Sequence, residues 1–299
     1  MIKLAAIDVG SNAARLLIKE VRPVSRNGVD FIKLNLVRVP LRLGFDVFET
    51  GVISDERIAH LIDTIRAYQL LMNIYEVNHY IACATSAMRD AANGEQVIAR
   101  VREQTGISLQ IISGQQEASL IFENHIAEHL SKSKSYLYVD VGGGSTEISL
   151  FSKQKQVFTA SFNIGTIRLL HQQITDAQWD ELKLFLKKNI KARKLIIIGS
   201  GGNINKIFSL SKTKPGKPLS IDLLKSYYRR FKQMTVEERM HRYQMREDRA
   251  DVIVPALEIY LNIMRWSGAE EILVPQIGLA DGLIDHLYRQ LNNESDKGK

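Results

Sequence analysis

Two stretches of this 299-residue chain carry residues that could grip a phosphate, and they carry them in the same order. Residues 7–18 read Ile-Asp-Val-Gly-Ser-Asn-Ala-Ala-Arg-Leu-Leu-Ile, and residues 139–150 read Val-Asp-Val-Gly-Gly-Gly-Ser-Thr-Glu-Ile-Ser-Leu. Each is an apolar strand ending in Asp-Val-Gly, a turn of small residues, and a second apolar strand. Glycine and serine let such a turn tighten, so that main-chain N–H groups point at an anion. The aspartates, Asp8 and Asp140, cannot face phosphate directly without repulsion, and a divalent cation or its waters between them resolves the conflict. A third glycine turn, Gly199-Ser200-Gly201-Gly202-Asn203, follows an apolar run and offers another candidate cradle.

The elements that position these turns alternate between strands and helices, which argues for an α/β protein. The opening reads as three strands, at Leu4–Val9, Arg15–Glu20 and Phe31–Leu41. The last is close to a period of two, with turns at Pro23, Asn27 and Gly28. Ser54 caps a long helix with Asp55 and Glu56 in its first turn and Ile58, Leu61, Ile62, Ile65, Tyr68 and Met72 on one face. Then come a strand at His79–Ala84, a helix near Gly94–Gln104, a strand at Leu109–Ile112 and a helix from about Gln116 to His129. After a polar connector, Ser131–Ser135, a second strand set occupies Tyr136–Val141, Thr146–Phe151 and Val157–Phe162. Helices near Asp176–Ile190, Ile221–Met234, Asp251–Arg265 and Leu279–Leu291, with strands at Leu195–Ile198 and Glu271–Val274, complete the chain.

Composition narrows the classes. The single cysteine, Cys83, sits in an apolar run and reads as a buried small residue; without a second cysteine no internal disulfide forms, which suits a reducing cytoplasm. No apolar run approaches the roughly 18–20 residues of a membrane helix. The net charge of +7 attracts anions but selects none, and the densest basic stretch, Lys187 to Lys194, reads as a solvated helix end. His60, His79, His125, His129, His171, His241 and His286 form no metal-ligand pattern; His125 and His129 read as surface residues.

Further segments join the hairpins in a family-like order: Leu43-Gly44-Phe45, Thr50–Ser54, Ala84-Thr85-Ser86-Ala87-Met88-Arg89-Asp90-Ala91, Ile112-Ser113-Gly114 with Glu117-Ala118, Asp140–Glu147, Gly199–Gly202 and Arg249–Val254. In these the chain resembles the exopolyphosphatase and guanosine-pentaphosphate phosphohydrolase (Ppx/GppA) family of the actin-like superfamily. The resemblance implies two actin-like (ribonuclease H-like) lobes, each a mixed sheet flanked by helices, with an interlobe cleft. The lobes are expected at residues 1–122 and 123–299, with a terminal helix at about 279–291 that has the option of packing back on the first lobe. It implies a Mg²⁺-dependent enzyme that removes the terminal phosphate of inorganic polyphosphate or, as the runner-up, of guanosine pentaphosphate. A homodimer rests on the resemblance alone; neither nucleic acid nor a membrane is expected as a partner.

The roles follow from the motifs. From the residues alone, Glu117 reads as a helix first-turn acid; the resemblance makes it the catalytic general base. Asp140 and Glu147 flank the second turn and rank first as Mg²⁺ ligands, with Asp8 next. Gly143, Gly144 and Ser145, together with Ser11 and Asn12, should present amides or side chains to phosphate. Arg15 and Arg89 are candidate clamps, with surface salt bridges as the alternative. Arg249 and Asp251 either order the cleft or cap a helix. The chain departs from the family pattern in two places: two adjacent glutamates are usual after the Ile-Ser-Gly turn, whereas here Gln115 and Gln116 precede Glu117 and only the second glutamate survives, and Ala13 stands where a serine is common. Outside the hydrolase reading stand a non-catalytic alarmone or polyphosphate sensor and an actin-like ATP-binding protein or kinase, since fold alone does not fix function.

Overall fold

A computed structural model describes residues 1–24, 28–122, 131, 134–153, 155–191 and 195–297. His125, His129, Asn27, Arg193 and Lys194 lie outside the described residues, as does the end of the helix expected to run to His129. The chain divides into two compact units, Met1–Asn124 with Gly278–Lys299, and His125–Ile277.

The first unit is built on five strands: β1 (Ile2–Val9), β2 (Ala14–Val24), β3 (Gly28–Val39), β4 (His79–Ala84) and β5 (Gln110–Ile111). Their order is β3-β2-β1-β4-β5, antiparallel through the β1–β2–β3 meander and parallel from β1 to β4 to β5. β1 is central and covered on both faces, so its residues from Leu4 to Ile7 are all apolar and all buried. The helix Asp55–Ile74 packs the expected face, Ile58 to Met72, inward, and the Ser54 hydroxyl accepts from the Arg57 N–H at 3.4 Å. The terminal helix Leu279–Lys297 belongs to this unit; Lys19 pairs with Asp281 at 2.7 Å, and Tyr288 meets Phe31 edge-on at 5.5 Å.

The alternation expected along β3 does not survive. The β2–β3 register shifts between Ile18 and Lys19, pairing Ile18 with Asn35 but Lys19 with Lys33. A one-residue shift exchanges the two faces of a strand, so β3 is half-exposed along most of its length and Leu36 is outward.

The second unit holds β6 (Ser135–Val141), β7 (Thr146–Ser152), β8 (Lys155–Phe162), β9 (Leu195–Ser200), β10 (Leu219–Ser220) and β11 (Glu271–Leu273). The order is β10-β11-β9-β6-β7-β8, again an antiparallel meander, β6–β7–β8, followed by parallel strands from β6 to β9 to β11. The duplication seen in the sequence is therefore a duplication of topology. Leu137, Val139, Ile148, Ile197 and Ile272 fill the sheet core, and the helices Asp176–Asn189 and Ile253–Ser267 contribute Leu182, Leu186, Ile259, Tyr260 and Ile263 to it.

Candidate active site

In the first unit the chain leaves β1 at Val9 and re-enters β2 at Ala14, so Gly10–Ala13 form the turn. The Gly10 N–H donates to the Ala13 carbonyl at 3.0 Å. The turn's outer carbonyls are taken by the segment after β3: the Gly44 N–H donates to Ser11 O at 2.8 Å and the Arg42 N–H to Asn12 O at 3.0 Å. Arg42 makes its contact from a left-handed backbone, φ 54°, where a non-glycine residue is strained. With these three acceptors occupied, the turn presents donors: among the described residues the Ser11 amide has no protein acceptor. The Ser11 hydroxyl is buried and lies 2.8 Å from that of Ser86. Asp8 is buried and faces Arg15 across the strand pair, with Arg15 Nη1 2.7 Å from Asp8 Oδ2.

Glu117 comes from the helix Gly114–Phe122. Its start is a capping box: the Ser113 hydroxyl accepts from the Gln116 N–H at 3.2 Å, and the Gln116 side chain accepts from the Ser113 N–H at 2.8 Å. Gln116 thus performs the capping that a glutamate would, without the charge. Glu117 is only 8% exposed. Its carboxylate and that of Asp8 both act on the buried Cys83 thiol, whose pKa is pushed well up by burial first and then by these two charges. Asp8 and Glu117 therefore converge on the end of β4.

The segment after β4 ties these parts together. The Thr85 N–H donates to Val9 O at 3.1 Å, Ser86 reaches Ser11, and Arg89 Nη1 donates to Ile112 O at 3.0 Å, just ahead of the Glu117 helix. Arg89 also lies 3.7 Å from Asp90. Its guanidinium acts as a strut between two loops of the site.

The second unit repeats the turn at Gly142–Ser145, with Gly142 N–H donating to Ser145 O at 3.0 Å. Here too the carbonyls are occupied. Thr166 and Ile167 donate main-chain N–H groups to Gly142 O and Gly143 O at 3.0 and 2.8 Å, and Arg168 Nε donates to Gly144 O at 2.8 Å. Gly165 permits this approach, because a Cβ there would fall 2.3 Å from Gly143 O. Among the described residues the Gly143 and Gly144 amides have no protein acceptor. Ser145 is buried beside them.

Asp140 and Glu147 stand directly opposite each other in the β6–β7 register. Glu147 is almost wholly buried and accepts from the Ser161 hydroxyl at 2.9 Å. The third glycine turn lies beside Asp140: Gly201 has φ +112°, and a Cβ on it would come within 3.3 Å of Asp140 Oδ1. Tyr260 supports this corner by donating to Val139 O at 3.3 Å; burial and then Asp140 push its phenol pKa well up. Arg249 donates to Gly202 O, and Asp251 follows the short helix Glu247–Ala250 as its C-cap. Among the described residues no three acids, histidines or cysteines form a group able to hold a metal alone, and no helix is long and apolar enough to cross a membrane.

Sequence reasoning missed Ser86, Gly165 and Arg168, all of which fix the turns. The advance signal was local and confined to Gly165, a lone glycine shortly after a strand.

Two duplicated sheets of this topology, each with an acid-flanked amide turn, define an actin-like two-lobed protein suited to binding phosphate. The sequence model of the Ppx/GppA phosphatase family matches residues 25–291, and the chain belongs to that family. It is thereby a phosphatase, a hydrolase of the phosphoric-anhydride class. The chain is 25% identical to exopolyphosphatase 1 of Mycobacterium tuberculosis over 315 aligned positions, covering 98% of this chain and 90% of that protein. It is 34% identical to a bifunctional 3-dehydroquinate synthase/phosphatase of Fusobacterium nucleatum over 173 residues, which is 55% of this chain but 25% of the relative. Among solved structures, a Ppx/GppA family member from Aquifex aeolicus superposes with a TM-score of 0.76 at 26% identity, covering 97% of this chain and 99% of the other. An exopolyphosphatase from Cytophaga hutchinsonii shares the fold at a TM-score of 0.80 and 23% identity, covering 97% and 98%.

Proposed function

We propose that this chain is an exopolyphosphatase that hydrolyses the terminal phosphoanhydride of inorganic polyphosphate and releases orthophosphate. The observation that carries the reading is the pair of amide turns in which the carbonyls of Ser11, Asn12 and Ala13, and of Gly142 to Ser145, are engaged while the Ser11, Gly143 and Gly144 N–H groups have no protein acceptor among the described residues. Phosphoryl transfer needs positioning and charge neutralisation more than covalent help. In this reading the free amides and the hydroxyl of Ser145 bind phosphate oxygens, and Asn12 and Arg15 support them. Arg89 contributes by holding the Ile112 loop. Glu117 takes the proton of the attacking water, and the shortened chain leaves as the anion.

Mg²⁺ suits the donor set. It is held by one or two carboxylates, its remaining positions going to water and substrate oxygens, and Asp140 and Glu147 offer two carboxylates at adjacent strand positions. Asp8, its charge already balanced by Arg15, ranks behind them. The bound ion would neutralise charge on the phosphate oxygens.

The test is Mg²⁺-dependent phosphate release from polyphosphates of graded length and from guanosine pentaphosphate, wild type beside Glu117→Gln. Release from polyphosphate should fall by about 10²–10⁴-fold in the variant. Equal rates would remove Glu117 from the mechanism. Release from the nucleotide in preference to every polyphosphate would transfer the activity to guanosine pentaphosphate.

A further inference from the structure

The net charge of +7 is not shared evenly. Residues 125–277 carry 24 lysines and arginines against 15 aspartates and glutamates, a net +9, while the rest of the chain carries 16 against 18, a net −2. Most of that excess lies in one stretch: from Lys212 to Lys232 there are seven basic residues and one acid, Asp222. All seven basic residues are exposed. Lys212, Lys214 and Lys217 lie in the loop before β10, and Lys225, Arg229, Arg230 and Lys232 lie on the helix Ile221–Lys232.

The helix is strictly divided. Leu224 and Phe231 are buried, and Ile221, Leu223, Tyr227 and Tyr228 pack against the core. Its outer face lines a shallow depression of about 500 Å³ with Asp222, Lys225, Ser226, Arg229, Arg230 and Gln233. The cations there are partly pre-set. Arg230 lies 5.9 Å from the Tyr227 ring, and Lys232 donates to the Tyr228 hydroxyl at 3.2 Å. Lys225 pairs with Asp222 at 3.0 Å, whereas Arg229 has no ion-pair or hydrogen-bond partner among the described residues. Lys225 and Arg229 are one helical turn apart, so they present charge in a row along the axis.

We propose that this face, Lys212 to Lys232, is a second binding surface that holds the body of a linear inorganic polyphosphate, formed by other residues than the turns that grip its end. The proposal rests on the polyphosphatase reading. The occupant follows from what the face offers and what it lacks. It offers flexible point charges in a row, which suit a linear anion of high charge density. It lacks a ring for base stacking, because Tyr227 and Tyr228 pack inward and the Tyr228 hydroxyl bonds Glu258 at 3.0 Å. It lacks an apolar side to enter a bilayer, because the apolar side of this helix is already buried in the core.

The test measures binding of end-labelled polyphosphate, tens of phosphates long, to the full chain by fluorescence anisotropy over a salt series. Wild type is compared with a Lys225→Gln, Arg229→Gln, Arg230→Gln triple variant and with Lys212→Gln, Lys214→Gln, Lys217→Gln. A control removes equal charge elsewhere on the same unit, with Lys183→Gln, Lys187→Gln, Lys188→Gln. The helix variant should bind long polyphosphate about tenfold or more weakly, and its salt slope should drop by roughly one per cation that loses a phosphate. Phosphate release from tripolyphosphate should be unchanged in it, and the control should bind as wild type does. Long-chain binding within twofold of wild type in both surface variants overturns the proposal. So does an equal loss in the control, or tighter binding of single-stranded RNA or phosphatidylserine vesicles than of polyphosphate at matched salt. A wild type that binds the polymer through these residues yet hydrolyses no polyphosphate sinks the polyphosphatase reading and leaves the surface standing.

Discussion

The hydroxyls of Ser11 and Ser86 lie 2.8 Å apart in a buried position, and they couple the first amide turn to the segment after β4. If Ser86 acts by holding Ser11, the two form one unit, and their losses will not add. Ser86→Ala should raise KM for polyphosphate several-fold with kcat nearly kept. Ser11→Ala should do as much, and the double variant should be no worse than Ser11→Ala alone. A double-mutant cycle on KM, beside thermal midpoints, checks this; additive losses would make Ser86 a packing residue only. This pair also shows where residue-level reading stops. The Asp-Val-Gly turns were legible because turn chemistry is local: a glycine, a small residue and an acid within a few positions declare it. Ser86 was not, because its partner lies 75 positions away and only the parallel pairing of β1 with β4 brings them together. Gln116 was legible as a departure from the family, but its capping role emerged only with the backbone of Ser113 beside it.

At the scale of elements, the sequence announced long periodic segments and concealed short ones. The helix Asp55–Ile74 was readable from its cap and one apolar face, whereas the helices Leu43–Thr50 and Ser86–Asp90 are too short to show a period. The start of the long helix has an anchor no pattern predicts. Asp46, from Leu43–Thr50, accepts from the Ser54 N–H at 3.0 Å and the Ser54 hydroxyl at 2.5 Å, and pairs with Arg57. Burial alone would push the Asp46 carboxyl up, but the bonds from Ser54 and Arg57 outweigh it and hold the pKa below the ordinary 3.8. A carboxylate with a lowered folded-state pKa adds stability above its unfolded value, and that stability is lost as pH falls through the folded value. Asp46→Asn should therefore cost about 1–2 kcal/mol at neutral pH. The gap from wild type should hold down to about pH 4 and close below it, where wild type also protonates. Chemical denaturation of both proteins between pH 7 and pH 3 measures it; a gap independent of pH would assign the effect to packing instead of charge.

At the scale of the whole molecule, duplication supplies two turns of one design, and what matters is how they diverged. Aligning Asp8 with Asp140 aligns Arg15 with Glu147, so the position across the strand pair from the aspartate is basic in one unit and acidic in the other. The first unit's aspartate is neutralised internally, at 2.7 Å. The second unit's stands opposite a second acid, Glu147, and two like charges at one point favour a cation or a proton near them. This divergence was present in the sequence but became an argument only once the register placed the pairs opposite each other. On the proposed mechanism it predicts a division of labour: the second unit should govern the metal, and the first the anion. Glu147→Gln should raise the Mg²⁺ concentration for half-maximal phosphate release by roughly 10–100-fold, the range seen when groups that support a metal are lost. Arg15→Gln should leave that concentration within twofold of wild type and instead raise KM for polyphosphate, because it removes a cation from the substrate side and frees the charge of Asp8. Mg²⁺ titrations at saturating substrate, and substrate titrations at saturating Mg²⁺, separate the two. If Arg15→Gln moves the metal requirement as far as Glu147→Gln does, the units do not divide the work, and Asp8 must be counted among the metal's ligands on the same footing as Asp140.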